Sequence, residues 1–264
     1  MTRSLVIAPQ WIGDAVMTEP LMRLLAARGE VLTVAALPWV APVYRAMHSV
    51  TEVLELPFQH GGLQWAARRA IGQAMKGQFD RAYLGPNSFK SSLIPWFAAI
   101  PERMGYHGES RYGLLTTRLP NPSKHSRGSM VEHFLALAEL QNPFPQAVPC
   151  LDLPLPVLQN TLSTLGLTAG TYVVLAPGAE YGPAKRWPEA HFAQWAKLAG
   201  LPVVLLGSGK EAAVCQNIAD SVNSSHAGRA KNLAGATDLT QAMAVIAAAH
   251  SVVSNDSGLM HVAA

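Results

Sequence analysis

Short apolar segments alternate with longer helical stretches in two successive runs, and this alternation leaves the chain few folds to adopt. In the first run the pattern predicts strands over 5–8, 31–36, 53–56 and 81–85, with helices over 14–28, 62–77, 89–99 and 129–140. Such alternation means βαβ units and a parallel sheet. Pro143, Pro145, Pro149, Pro154 and Pro156 then fall within fourteen residues. Proline has no amide donor and restricts the residue before it, so no helix or central strand runs through. After this segment the alternation restarts, with strands over 171–176, 201–206 and 251–254 and helices over 188–199, 210–222 and 239–249. The expected architecture is α/β. Two doubly wound domains, 1–142 and 157–264, face each other across a cleft and are joined by a linker over 143–156. In sheets of this kind ligands bind beyond the carboxyl ends of the strands.

Composition narrows the functional classes. Hydrophobic residues make up 49% and charged residues 14% of the 264 residues, which supplies a sizeable core and argues against disorder. No apolar run reaches the ~18 residues of a membrane span. The N-terminus, Met1 to Ala8, reads as a first strand rather than a signal peptide. Two cysteines, Cys150 and Cys215, form no disulfide framework or zinc spacing, so a reducing cytoplasm is the expected compartment. The first 141 residues carry 14 Lys and Arg against 10 Asp and Glu, and the remainder carry 6 against 7. The basic half either faces an acidic partner or is ordinary solvated surface. Basic and aromatic residues are not clustered as a nucleic-acid site requires.

Five strand-end segments carry chemistry. Trp11-Ile12-Gly13-Asp14 follows the first strand, where Gly13 permits a tight turn. Asp14 is either the N-cap of the next helix or a general base facing the cleft. The turn lacks Gly-x-Gly-x-x-Gly, which disfavours a dehydrogenase. Pro86-Asn87-Ser88-Phe89-Lys90 is either a capped helix start or a recognition loop for an anionic group. Pro177-Gly178-Ala179 leads through Lys185-Arg186 to Trp187-Pro188, and these cations are either solvent-exposed or neutralise a diphosphate. Leu206-Gly207-Ser208-Gly209-Lys210-Glu211 fails the P-loop pattern, since Val204 and Glu211 stand where Gly and Ser or Thr are needed. It remains able to lie against a base or ribose. Last comes Asn255-Asp256-Ser257-Gly258-Leu259-Met260-His261, a strand–turn–helix of the kind whose amides and dipole attract anions.

Taken in order, these motifs closely resemble the bacterial ADP-heptose:lipopolysaccharide heptosyltransferases (glycosyltransferase family 9), and most closely their type II branch. The segments Arg111-Tyr112-Gly113-Leu114-Leu115 and Gly178 to Pro188 add to the likeness. The resemblance implies a GT-B fold of two Rossmann-like domains, the second incomplete in these 264 residues, and inverting transfer of L-glycero-D-manno-heptose from ADP-heptose to the first heptose of the inner core, carried by a heptosyl-Kdo2-lipid A acceptor. It implies Asp14 as general base and Lys185 as the cation on the diphosphate. Gly178, Gly207, Ser208, Thr237, Asp256, Ser257, Gly258, Leu259 and His261 would line the donor site with Lys185. Gly13, Asn87, Ser88, Lys90 and Arg111 would meet the acceptor. No cofactor is implied: ADP-heptose is a substrate, and no Asp-x-Asp pair is present to bind a metal. A lipid acceptor implies peripheral contact with the inner face of the cytoplasmic membrane; oligomeric state is not implied. Family members continue beyond His261 by part of a domain, so the expectation for these 264 residues is little or no transfer by themselves. The alternatives are a type I or III acceptor specificity, another GT-B nucleotide-sugar enzyme such as an epimerase, and an inactive nucleotide-binding fragment.

Overall fold

The computed structural model describes residues 1–58, 62–123, 128–138, 147–179 and 183–264. The chain divides into two compact units, Met1–Asp152 and Leu153–Ala264. Unit 1 contains a six-stranded parallel sheet of β1 (Thr2–Ile7), β2 (Glu30–Ala36), β3 (Glu52–Glu55), β4 (Arg81–Leu84), β5 (Glu102–Tyr106) and β6 (Thr117–Leu119), in the order β3-β2-β1-β4-β5-β6. Its helices are α1 (Ile12–Met17), α2 (Glu19–Ala27), α3 (Ala41–Arg45), α4 (Trp65–Ala74), α5 (Leu93–Phe97) and α6 (Met130–Leu135). Unit 2 opens with α7 (Leu155–Leu165), then β7 (Val173–Ala176), α8 (Glu189–Leu198), β8 (Val203–Leu205), α9 (Ala212–Asn223), β9 (Ala230–Asn232), α10 (Leu239–Ala247), β10 (Ser251–Ser254) and α11 (Gly258–Ala263). Its four parallel strands run in the order β10-β7-β8-β9.

The apolar strands belong to sheets covered on both faces, which removes the need for polar alternation. In β7, Val173 and Leu175 pack with Phe192 of α8 and Ile218 of α9. Val174 and the preceding Tyr172 point the other way, toward Leu162 of α7 and Val245 of α10. Period-two alternation thus sends neighbouring side chains into two separate cores.

The structure departs from the sequence expectation in several places. The helix expected over 14–28 is two helices broken at Thr18, because Pro20 cannot donate to the carbonyl four residues back. Strands β5 and β6 were not anticipated, since Glu102, Arg103 and Arg118 hide their apolar pattern. The short β9 carries Lys231 and Asn232 and was also missed. The linker expected through residue 156 ends earlier: Leu155 and Pro156 form the first turn of α7, where proline is normal. On its other side, the Asp152 amide donates to Ala46 O at 2.7 Å and the Cys150 amide to Glu19 Oε2 at 3.1 Å, which fastens this stretch to unit 1. Pro143 and Pro145 lie outside the described residues.

In both units the chain steps outward strand by strand, then returns to the other side of the first strand. The switch points therefore lie between β1 and β4 and between β7 and β10, which is where doubly wound sheets open for ligands.

Candidate functional site

The switch point of unit 2 brings together two loops that are distant in sequence. Past β7 the chain enters Pro177-Gly178-Ala179 and later the short 3-10 turn Pro183–Lys185. Past β10 it enters Asn255-Asp256-Ser257 and then α11. Asn255, only 7% exposed, joins them. Its Nδ2 donates to Pro177 O at 2.7 Å, and its Oδ1 accepts from the Trp187 amide at 3.1 Å. Its own amide bonds Ala176 O at 3.2 Å, which continues the β7–β10 pairing by one residue. Across this frame Lys185 Nζ forms an ion pair with Asp256 Oδ2, both side chains half exposed. Hydrogen bonding from Lys185, then its charge, holds the Asp256 carboxyl below the usual carboxylate range, and His261 lowers it further. Lys185, Asp256 and His261 therefore form one charged, solvent-facing group at a strand-end switch point.

Two more loops reach the same end of the sheet. Ser208 opens a turn whose Glu211 carboxylate accepts from the Ser208 amide at 2.6 Å. That carboxylate also lies against Gly178: a Cβ there would come within 2.0 Å of Glu211 Oε1. Gly207 is similarly close, with Glu211 Oε2 at 3.0 Å from a Cβ. Gly235, at φ +75, donates its amide to Gly207 O at 2.9 Å and brings the β9–α10 connection alongside. Thr237 lies in that connection, ahead of the Asp238 cap of α10. The partly buried side chain of Leu259, like that of Val262, packs against the Leu162–Val245 cluster. Ser257 is the extended N-cap residue of α11 and Gly258 its first residue. The first amides of any helix lack an internal acceptor. Glu180, Tyr181 and Gly182 lie outside the described residues.

At the switch point of unit 1, Asp14 stands on the first turn of α1, after buried Gly13. Trp11 occupies the N-cap position, so Asp14 is not the cap. Beneath it lies Tyr44, fully buried, whose Oη is 3.2 Å from Thr18 Oγ1. Burial drives the Tyr44 phenol well above its ordinary value, the Thr18 hydrogen bond opposes this, and the nearby Asp14 charge adds to the rise.

The β4 side of this switch point carries the 86–90 loop, and buried arginines hold it. Arg111 is 2% exposed. Its Nη1 donates to Pro86 O at 2.9 Å, and its Nη2 reaches Tyr106 O and, at 3.4 Å, Asn87 Oδ1. Burial lowers its pKa, with Glu109 opposing. Arg111, expected to meet the acceptor, divides its terminal nitrogens between the loop (Pro86 O and Asn87 Oδ1) and the end of β5 (Tyr106 O), and so ties the loop to the sheet. Gly108 is required beside it, since a Cβ would sit 2.1 Å from Asn87 O. Arg68, also buried, donates through Nη1 to Lys90 O at 3.1 Å. Ser88 Oγ is buried with no hydrogen-bond partner among the described residues.

Sequence reasoning left out Asn255, Glu211 and Arg68 as site-building residues. Asn255 was legible only as part of its motif, as the one polar residue directly continuing an apolar strand. Glu211 carries a local signal, the Ser208-x-x-Glu211 capping box, but nothing local shows that it reaches Gly178 or that Arg68 reaches Lys90, 33 and 22 positions away. Among the described residues no group of three or more His, Cys, Asp or Glu side chains is placed to hold a metal ion.

Two Rossmann-like units, one with a charged loop pair and the other with a carboxylate at its switch point, define a glycosyltransferase of the GT-B class. The profile of glycosyltransferase family 9 (heptosyltransferase) matches residues 68–264, and the chain belongs to that family. It is 41% identical to lipopolysaccharide heptosyltransferase 2 of Escherichia coli (strain K12), over 98% of this chain and 79% of the relative. It is 42% identical to the protein of the same name from Salmonella typhimurium, over 98% and 79%. The solved structure of the E. coli ADP-heptose lipopolysaccharide heptosyltransferase II, 38% identical, superposes with a TM-score of 0.88 over 99% of this chain and 81% of that one.

Proposed function

We propose that this protein transfers L-glycero-D-manno-heptose from ADP-heptose to the first heptose of a lipopolysaccharide inner core, with inversion at the anomeric carbon. The observation that carries this reading is the Lys185–Asp256 pair spanning the β7 and β10 loops. The pair supplies a cation suited to a diphosphate beside a carboxylate suited to sugar hydroxyls.

Unit 2 is the donor unit. Lys185 and the first amides of α11 offset the charge that develops on the departing ADP, a role that needs no resident metal. Asp256, held ionised by Lys185, accepts hydrogen bonds from heptose hydroxyls, with His261 beside it. Gly178, Gly207, Ser208 and Thr237 surround the nucleoside. Unit 1 is the acceptor unit. Asp14 takes the proton from the acceptor hydroxyl as its oxygen attacks the anomeric carbon opposite the ADP oxygen. The 86–90 loop orients the acceptor, and the unpaired Ser88 hydroxyl is the kind of buried group a bound sugar would satisfy. The acceptor's lipid makes the reaction peripheral to the inner face of the cytoplasmic membrane. No helix among the described residues is long and apolar enough to cross one.

The test is mass-spectrometric detection of heptose transfer to heptosyl-Kdo2-lipid A, with and without chelator. Asp14→Asn should lower the rate by roughly 10²–10⁴ while leaving ADP affinity intact. Acceptance only of a heptose-free acceptor would reassign the specificity, and full activity of Asp14→Asn would remove the base.

A further inference from the structure

We propose that the outer surface of α4 and α5 docks unit 1 onto an anionic lipid bilayer. In the sequence no acidic residue occurs between Glu55 and Asp80, or again between Asp80 and Glu102, while Arg68, Arg69, Lys76, Arg81 and Lys90 fall within that stretch. On this acid-poor background three large apolar side chains are exposed: Leu63 at 47%, Trp65 at 45% and Trp96 at 41%. They are joined rather than scattered. The Trp65 and Trp96 rings both pack edge-on to Phe97, with centroids 5.1 and 4.9 Å away. Ala66, Ala67, Arg69 and Ala70 of α4 are exposed beside them.

The platform is rigid. Gly72 lets the two helices touch, since a Cβ there would fall 2.5 Å from Phe97 Cβ and 2.8 Å from Ile94 O. Exposed joined aromatics are a liability in water but suit the membrane–water interface, where an amphipathic indole rests at headgroup depth. Arg69 and Lys76 supply the attraction to anionic headgroups that such a surface needs.

The surface is also continuous with the 86–90 loop. The 3-10 turn Phe89–Ser92 runs directly into α5. Arg68 lies over the Phe58 ring at 4.0 Å and donates to Leu63 O at 2.8 Å and to Lys90 O at 3.1 Å. One buried guanidinium thus ties the exposed patch to the loop assigned to the acceptor. The proposal rests on the reading that the acceptor is lipid-linked: docking here holds that loop at a fixed place relative to the bilayer.

The test is cosedimentation of the full chain with phosphatidylethanolamine vesicles containing about a third phosphatidylglycerol, against neutral phosphatidylcholine vesicles. The parent should bind the anionic vesicles, and less well as ionic strength rises from about 0.1 to about 0.5 M. Trp65→Ser with Trp96→Ser should weaken partitioning about tenfold or more, and Arg69→Glu with Lys76→Glu should do the same and flatten the salt dependence. The tryptophan pair should slow transfer to acceptor embedded in vesicles and leave transfer to a deacylated, water-soluble acceptor unchanged. Unchanged vesicle binding by both variants overturns the proposal. So does conversion of a dimer to a monomer by the tryptophan variant at unchanged partitioning, which would make the patch an interface between copies. A parent that transfers heptose to neither acceptor refutes the proposed function instead, and the vesicle measurements still decide the docking surface.

Discussion

Replacing Asn255 should both loosen unit 2 and disarm its donor site. The side chain makes two hydrogen bonds, from Nδ2 to Pro177 O at 2.7 Å and from the Trp187 amide to Oδ1 at 3.1 Å. At 7% exposure there is little water to replace them. Asn255→Ala leaves one carbonyl and one amide unpaired, at about 1–2 kcal/mol each, for a total of about 2–4 kcal/mol. Asn255→Asp preserves the shape but turns the donor facing Pro177 O into an acceptor, beside the existing Asp256 carboxylate, and should cost at least as much near neutral pH. With a urea slope of about 2 kcal/mol per molar, either change moves the midpoint of unit 2 down by about 1–2 M. The transition is followed by fluorescence of Trp187 and Trp195. Calorimetry should show ADP affinity falling about tenfold or more, because the Lys185 and Asp256 loops are no longer held in register. Midpoints within about 0.3 M of the parent for both variants would show that the two loops do not depend on this side chain, and would refute the reasoning.

Three further outcomes follow from the same geometry. Lys185→Ala should raise the Asp256 carboxyl toward the ordinary range, read by carboxyl-detected NMR, and should slow transfer by roughly 10²–10³. The folded-state pKa is depressed, so any stabilisation from the pair is present at neutral pH and lost as pH falls through the folded value; at this exposure it should be small. Gly178→Ala should displace the Glu211 carboxylate and cost about 1 kcal/mol, the worth of the Ser208 cap, and the cost should vanish in a Glu211→Ala background. Gly72→Ala should destabilise unit 1 by about 1–3 kcal/mol in chemical denaturation, because backbone and Cβ atoms of α5 face it and neither can swing aside.

The alternation of apolar runs with helical stretches determined the class of fold, because a strand covered on both faces must be apolar throughout and so announces itself. The buried apolar runs of β1 and β7 were legible for this reason, β10 (Ser-Val-Val-Ser) by its place in the alternation, and so were the loops that follow them, since ligand-binding residues in such sheets lie just past the strand ends. Strands with charged residues, β5 and β6, were not legible. Neither was α7, whose Pro156 reads as a breaker until its position in the first helical turn is known. The types of residue in the site were likewise set by the sequence: Asp14, Lys185, Asp256 and His261 stand in their motifs before any folding. Tertiary structure alone decided which of them meet. The Lys185–Asp256 pair spans 71 positions and exists because β10 returns to the free side of β7. Burial marked framework contacts inside the motifs: Arg111 shares a motif with solvent-facing residues yet donates to buried carbonyls, and Leu259 packs against a core cluster. Motifs specify chemistry locally, whereas proximity, burial and hydrogen-bond satisfaction are properties of the packed chain.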